Sequence, residues 1–171
     1  CGAAVAGDVL EAYKLAYAGD PLSAFGGVLS INRKLDHRIA EEILSAKGFK
    51  VDAIVAPSIT ADALQSLTTK KKWGASVIIM EAGDLEAFER NTKIEEHATE
   101  YRDVRSIPGG ILVQRPDALN EEQEFANLKI VTRREPTDAE IAALKFAWVL
   151  CKHVKSNAIV LAQGRSLVGV G

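Results

Sequence analysis

The chain has 171 residues, of which 47% are hydrophobic and 26% charged, with a formal net charge of -2. This is the size and balance of one ordinary soluble globular domain with a sizeable core. The near-neutral charge gives no reason to expect a polyanion, and the basic runs Lys70-Lys71-Lys72 and Arg133-Arg134 are short enough to be solvated surface, so no nucleic-acid partner is expected.

The two cysteines, Cys1 and Cys151, are too few for a disulfide framework or a structural zinc site. Nothing reads as a signal peptide and no apolar run approaches the length of a membrane span. The expectation is a cytoplasmic protein without a membrane partner. The opening Cys1-Gly2 carries no initiator Met, and the last residues, Val168 to Gly171, fall within an extended segment. Both ends therefore read as cuts inside a longer protein.

In chain order, Asp8 starts a helix over Val9 to Ala18, with Leu10, Tyr13 and Tyr17 on one stripe and Gly19-Asp20-Pro21 as its stop. Gly27 to Ile31 reads as a strand. Asp36 then caps a helix carrying Ile39, Ile43 and Leu44 inward. Val51 to Val55 is the next strand, Thr60 caps a helix bearing Leu64 and Leu67, and Ser76 to Met80 is a third strand. This alternation predicts an α/β layered fold.

Residues 84 to 102 are highly charged and read as surface helix or loop, and residues 116 to 127 as polar loop or linker. Between them, Val104 to Val113 suggests a hairpin turning at Pro108-Gly109-Gly110, and Val131-Thr132 a short extended piece. Thr137 with Glu140 three residues on forms a capping box for a helix reaching about His153. Its stripe of Ile141, Leu144, Trp148 and Cys151, widened by Phe146, Val149 and Leu150, predicts packing on more than one side. Ala158 to Ala162 reads as a buried strand, with Leu167 to Val170 as its hairpin partner across Gln163-Gly164-Arg165-Ser166.

Three junctions combine polar or flexible residues with core strands. The first is Asp20-Pro21-Leu22-Ser23-Ala24-Phe25-Gly26-Gly27, where adjacent glycines let a ligand approach the backbone and Ser23 adds a hydroxyl. The competing reading is a tight turn with Phe25 plugging the core. The second is Asp52 within Val51 to Pro57, a carboxylate on an apolar strand that must be solvated or hydrogen-bonded. It suits a ligand hydroxyl or, equally, backbone amides. The third is Lys155-Ser156-Asn157, leading from the last helix into a strand. An asparagine donates and accepts at once, as recognition of a carboxamide requires, while the alternative is a helix end with basic residues near its dipole. The histidines His37, His97 and His153 show no metal-ligand spacing, and neither a Gly-x-Ser-x-Gly elbow nor a P-loop occurs.

Three stretches resemble the AICAR formyltransferase domain of the bifunctional purine enzyme that also carries IMP cyclohydrolase (AICAR being aminoimidazole carboxamide ribotide). They are Gly7-Asp8-Val9-Leu10-Glu11-Ala12-Tyr13, Asp20-Pro21-x-Ser23-Ala24-Phe25-Gly26-Gly27 and Lys155-Ser156-Asn157-Ala158-Ile159-Val160. The resemblance runs in one register from Cys1 to Gly171. It implies formyl transfer from 10-formyltetrahydrofolate, as co-substrate, to the 5-amino group of AICAR, with no metal in the chemistry. It further implies a cytidine-deaminase-like fold with a mixed sheet flanked by helices, and a homodimer with active sites near the subunit interface. Residues 1–171 would be the first of two such units, truncated at both ends, with the second unit and the cyclohydrolase domain absent. True deaminases carry a Pro-Cys-x-x-Cys zinc signature that this sequence lacks.

On the same resemblance Asn157 lies against the substrate and helps position it, Asp52 and Gly26 line the AICAR site, and Ser23 and Phe25 share the Gly26 loop. Leu22 falls where the folate approaches, and Lys155 fits a bacterial version of the motif. The family's Lys-His-x-Asn-Pro-Cys-Gly motif ends on Cys-Gly, as this chain begins, so its Lys-His pair is expected just upstream of Cys1. The fragment alone is then expected to be inactive. The rival reading is a non-catalytic deaminase-like module that binds a nucleotide or scaffolds an assembly.

Overall fold

A computed structural model describes residues 1–87, 102–117 and 124–171. These divide into two compact units, residues 1–85 with 136–171, and residues 86–135.

In the first unit, helix α1 (Val9–Gly19) begins where the Asp8 carboxylate accepts from the Leu10 amide at 3.2 Å. Strand β1 (Gly27–Ser30) follows, then α2 (His37–Ser45), capped by Asp36 on the Ile39 amide at 3.2 Å. Strand β2 (Val51–Ala56), helix α3 (Ala61–Thr69), a 3-10 turn (Lys72–Ala75) and β3 (Ile78–Glu81) complete the pattern. Thr60 stands at the N-cap of α3 as the sequence predicts, but its side chain makes no capping hydrogen bond.

The three strands are parallel in the order β1-β2-β3. Crossovers of one hand put successive helices on one face of such a sheet. The row Leu29, Ile54, Ile79 points to that face, where it packs with Ile39, Ala40, Ile43 and Leu44 of α2, Ala63 and Leu67 of α3, and Tyr13 of α1. Ile54 and Leu67 are fully buried. The opposite face carries Val28, Ala53 and Ile78 in one row and Ser30, Val55 and Met80 in the next. Val28 is 73% and Ile78 60% exposed, although parallel sheets are ordinarily covered on both faces.

Helix α4 (Asp138–Cys151) starts on the expected capping box, with Thr137 Oγ1 accepting from the Glu140 amide and Glu140 accepting from the Thr137 amide at 2.8 Å. It ends at Cys151, two residues before the expected His153. The expectation of burial on more than one side is corrected: no residue of α4 is buried, and Leu144, Trp148 and Val149 are exposed. Strands β6 (Val160–Gln163) and β7 (Ser166–Val170) form the expected hairpin, turned by Gly164 at φ +57°. The reading of Ala158 to Ala162 as a buried strand is also corrected, since Ile159 and Leu161 face solvent and Leu167 of β7 is the hairpin's buried residue.

In the second unit, β4 (Asp103–Ile107) and β5 (Gly110–Gln114) pair antiparallel around Gly109 at φ +83°, the hairpin read from the sequence. Val131 and Thr132 form no strand; the Thr132 hydroxyl bonds instead to the Arg134 carbonyl. Of the stretches read as 84–102 and 116–127, residues 88–101 and 118–123 lie outside the described residues. The architecture is α/β as expected. Among the described residues, however, the strands make one parallel sheet and two separate hairpins rather than a single mixed sheet.

Candidate functional site

The loop from Asp20 to Gly26 is held by its own first residue. The Asp20 carboxylate accepts from the Ser23 amide at 3.0 Å, and the Asp20 carbonyl accepts from the Ala24 amide. These bonds, the Ser23 amide foremost, lower the Asp20 carboxyl from 3.8 to about 2. Gly19, just before, lets the end of α1 lie against β7, because a Cβ there would stand 2.7 Å from the Leu167 carbonyl oxygen. The loop closes when the Gly27 amide bonds to the Ala24 carbonyl at 3.0 Å.

Phe25 is not a core plug. It is 61% exposed, and Leu22 is 89% exposed, so the loop presents two large apolar side chains to solvent. Ser23 is exposed as well.

Gly26 adopts φ +70°, a conformation that side chains other than glycine's disfavour. Its amide donates to the Lys50 carbonyl at 2.9 Å, joining the loop to the residue before β2. A Cβ on Gly26 would meet Asp52 Oδ2 at 3.5 Å, so the two residues the sequence singled out are neighbours.

Asp52 owes its exposure to a bulge. Gly27 pairs with Val51 but Val28 pairs with Ala53, which leaves Asp52 as an extra residue opposite none. Such an insertion re-aims a side chain: Val51 stays buried while Asp52 turns outward at the amino-terminal end of the sheet. Its Oδ1 accepts from Lys50 Nζ at 2.7 Å. Lys50 was not among the residues picked from sequence, although spacing of two along an extended segment puts side chains on one side.

Asn157 is exposed between α4 and β6, and its Oδ1 accepts from the Ser156 hydroxyl at 3.0 Å. Two residues on, Ile159 and Gly171 exchange backbone hydrogen bonds of 2.7 and 2.9 Å, which fix the chain leaving Asn157. The structure thus brings Gly26 and Asp52 together with the Ser23–Phe25 loop. Among the described residues, the hydrogen bond of the Asn157 side chain is to Ser156 and not to this group.

Of the histidines, His37 Nδ1 lies 4.0 Å from both Glu41 and Asp62, and the His153 amide bonds to the Leu150 carbonyl at the end of α4. His97 lies outside the described residues. Among the described residues no group of three or more His, Cys, Asp or Glu is placed to hold a metal ion, and no helix is long and apolar enough to cross a membrane.

The model of the AICARFT/IMPCHase bienzyme family matches residues 1–171. The chain belongs to this family. It is 42% identical over 171 residues to the bifunctional purine biosynthesis protein PurH of Halalkalibacterium halodurans, a match covering 100% of this chain and 30% of that protein. The proteins of the same name from Caldicellulosiruptor saccharolyticus and Nostoc punctiforme are 40% and 39% identical, again over 100% of this chain and each over 29% of its own length. As an AICARFT/IMPCHase family member, the chain therefore spans about three-tenths of the length of the curated relatives it matches.

Acid sensitivity follows from the carboxylates that order these segments. Asp20 is lowered as above. At Asp36 burial pushes the carboxyl up, but bonds from the Ile39 amide and Arg38 outweigh it, and Lys70 lowers Glu41. Unfolding returns these groups to ordinary values of 3.8 for the aspartates and 4.5 for the glutamate. The unfolded chain then binds more protons, so their stabilisation is complete above those values and is lost as pH falls through them toward the lowered folded values. Urea midpoints are expected to be flat just above pH 4.5 and to decline from there toward pH 2, and Asp20→Ala should flatten the lower end of that decline.

Proposed function

We propose that this chain is the first cytidine-deaminase-like unit of an AICAR formyltransferase domain within a longer bifunctional protein. The whole protein transfers a formyl group from 10-formyltetrahydrofolate to the 5-amino group of AICAR, in the synthesis of IMP. Family membership supports this class of reaction. The observation that carries the assignment of a substrate wall is the adjacency of Gly26 and Asp52, with 3.5 Å between a virtual Cβ on the first and Oδ2 of the second.

In this reading the bare backbone of Gly26 admits the substrate closely, and Asp52 accepts hydrogen bonds from its hydroxyls. Asn157, its Oδ1 already engaged by Ser156, offers its amide N–H groups to the substrate's carboxamide oxygen. Ser23 and Phe25 complete the loop side of the wall. Leu22 supplies an exposed apolar contact for the folate. The chemistry needs no metal.

Attack of a conjugated amine on a formyl carbon requires a base to take the amine proton and donors to stabilise the developing oxyanion. Among the described residues, no histidine hydrogen-bonds to Gly26 or Asp52, and His153 sits at a helix end. In this reading the family's Lys-His pair supplies the base from elsewhere in the longer protein, and residues 1–171 alone do not turn over. A cytoplasmic homodimer belongs to the same reading, with the open sheet face of Val28, Ile78 and Met80 as apolar surface available to an interface.

The test is formylation of AICAR measured spectrophotometrically for the full-length protein and for residues 1–171 alone. Activity in the first and none in the second is expected. An inactive full-length protein that is folded would overturn the assignment, and turnover by the short chain would overturn the need for an outside base.

A further inference from the structure

We infer that Lys50 is a positioning residue for the substrate, acting through Asp52; this rests on the reading of Gly26 and Asp52 as a substrate wall. Lys50 holds both residues of that wall, by different parts of itself. Its carbonyl accepts from the Gly26 amide at 2.9 Å, which sets the height of the loop over the end of β2. Its ammonium bonds to Asp52 Oδ1 at 2.7 Å. The other carboxylate oxygen, Oδ2, is the one that faces the open side of Gly26.

The division of labour between the two oxygens is the point. A carboxylate on a bulged, solvent-facing residue rotates freely about its side-chain bonds unless something holds it. With Oδ1 held by the ammonium, the carboxylate plane is fixed and Oδ2 is left as the acceptor beside the one position without a side chain. The pair is partly exposed, at 40% and 53% for the side chains. As a contribution to fold stability such a pair is small, and its consequence falls on the orientation of Asp52.

The experiment uses the full-length protein and steady-state formylation kinetics. Lys50→Met is expected to raise KM for AICAR about fivefold, the upper end for an exposed ion pair, with kcat within twofold, because orientation of Asp52 serves ground state and transition state alike. Lys50→Arg should restore KM. Asp52→Asn should raise KM at least as much, and adding Lys50→Met to Asp52→Asn should bring no further rise. If Lys50→Met leaves KM unchanged while Asp52→Asn raises it, the substrate wall stands and the role of Lys50 falls. An equal rise from Lys50→Met in both backgrounds also overturns it, since Lys50 would then act independently of Asp52. If Asp52→Asn itself leaves KM unchanged, the wall and the inference fall together.

Discussion

Ile54→Ala is expected to destabilise the chain by about 3 kcal/mol, the middle of the range for truncating a buried isoleucine. Ile54 is the centre of the only three-stranded sheet among the described residues, paired with Leu29 on one side and Ile79 on the other. It is fully buried against α2 and α3. Truncation removes apolar contact and leaves a cavity that flanking strands, fixed by backbone hydrogen bonds, cannot close. For a chain of this size the loss corresponds to roughly 10 °C in melting temperature. Ile78→Ala, on the open face of the neighbouring strand, should cost less than about 0.5 kcal/mol. Urea unfolding of the two purified variants separates them; equal losses would mean that the open face is covered.

That contrast also marks where the sequence stops being readable. Helix starts were legible because their signals are local: Asp8, Asp36 and Thr137 each bond to amides two or three residues away. The Gly109 and Gly164 turns were legible for the same reason, through backbone conformations that glycine tolerates. Burial was legible for Ile39, Ile43 and Leu44 of α2 but not for the last helix and hairpin. Hydropathy records what Leu144, Trp148, Ile159 and Leu161 would gain by being covered, not whether another element covers them. The same limit applied to Phe25, which has the bulk of a core plug and an exposed position.

At the site, the identities of Gly26 and Asp52 were visible as odd residues on apolar segments, but their adjacency was not. It depends on a bulge in β2, and a bulge is a property of two strands paired in a particular register. General expectation for open parallel sheets places ligands at the carboxyl ends of the strands, whereas Gly26 and Asp52 lie at the amino ends of β1 and β2. The motif resemblance therefore pointed to an edge that topology alone would have passed over. Lys50 escaped both routes, because its link to Gly26 runs through a backbone carbonyl that any residue type supplies.

The larger effect on activity is expected at Asn157. In the full-length protein Asn157→Ala should lower kcat/KM for AICAR about tenfold, the upper end for loss of one neutral hydrogen bond to bound substrate. The reason lies in what its amide alone supplies. Asp52 only accepts hydrogen bonds when ionised, so it cannot meet a carboxamide oxygen, and the Lys50 ammonium is already spent on Asp52. The Ser156 hydroxyl bonds to Asn157 Oδ1 at 3.0 Å, which in this reading leaves the amide nitrogen for the substrate, while the paired Ile159 and Gly171 hold the following backbone. Asn157→Asp is the sharper variant. It keeps the size and the Ser156 bond but replaces the donor with a second negative oxygen, so it should be at least as damaging as alanine. Because Asn157 is exposed and makes no core contact, both variants should unfold within about 0.5 kcal/mol of the parent. A loss of activity matched by a loss of stability, or Asn157→Asp with near-parent kcat/KM, would remove Asn157 from the substrate wall.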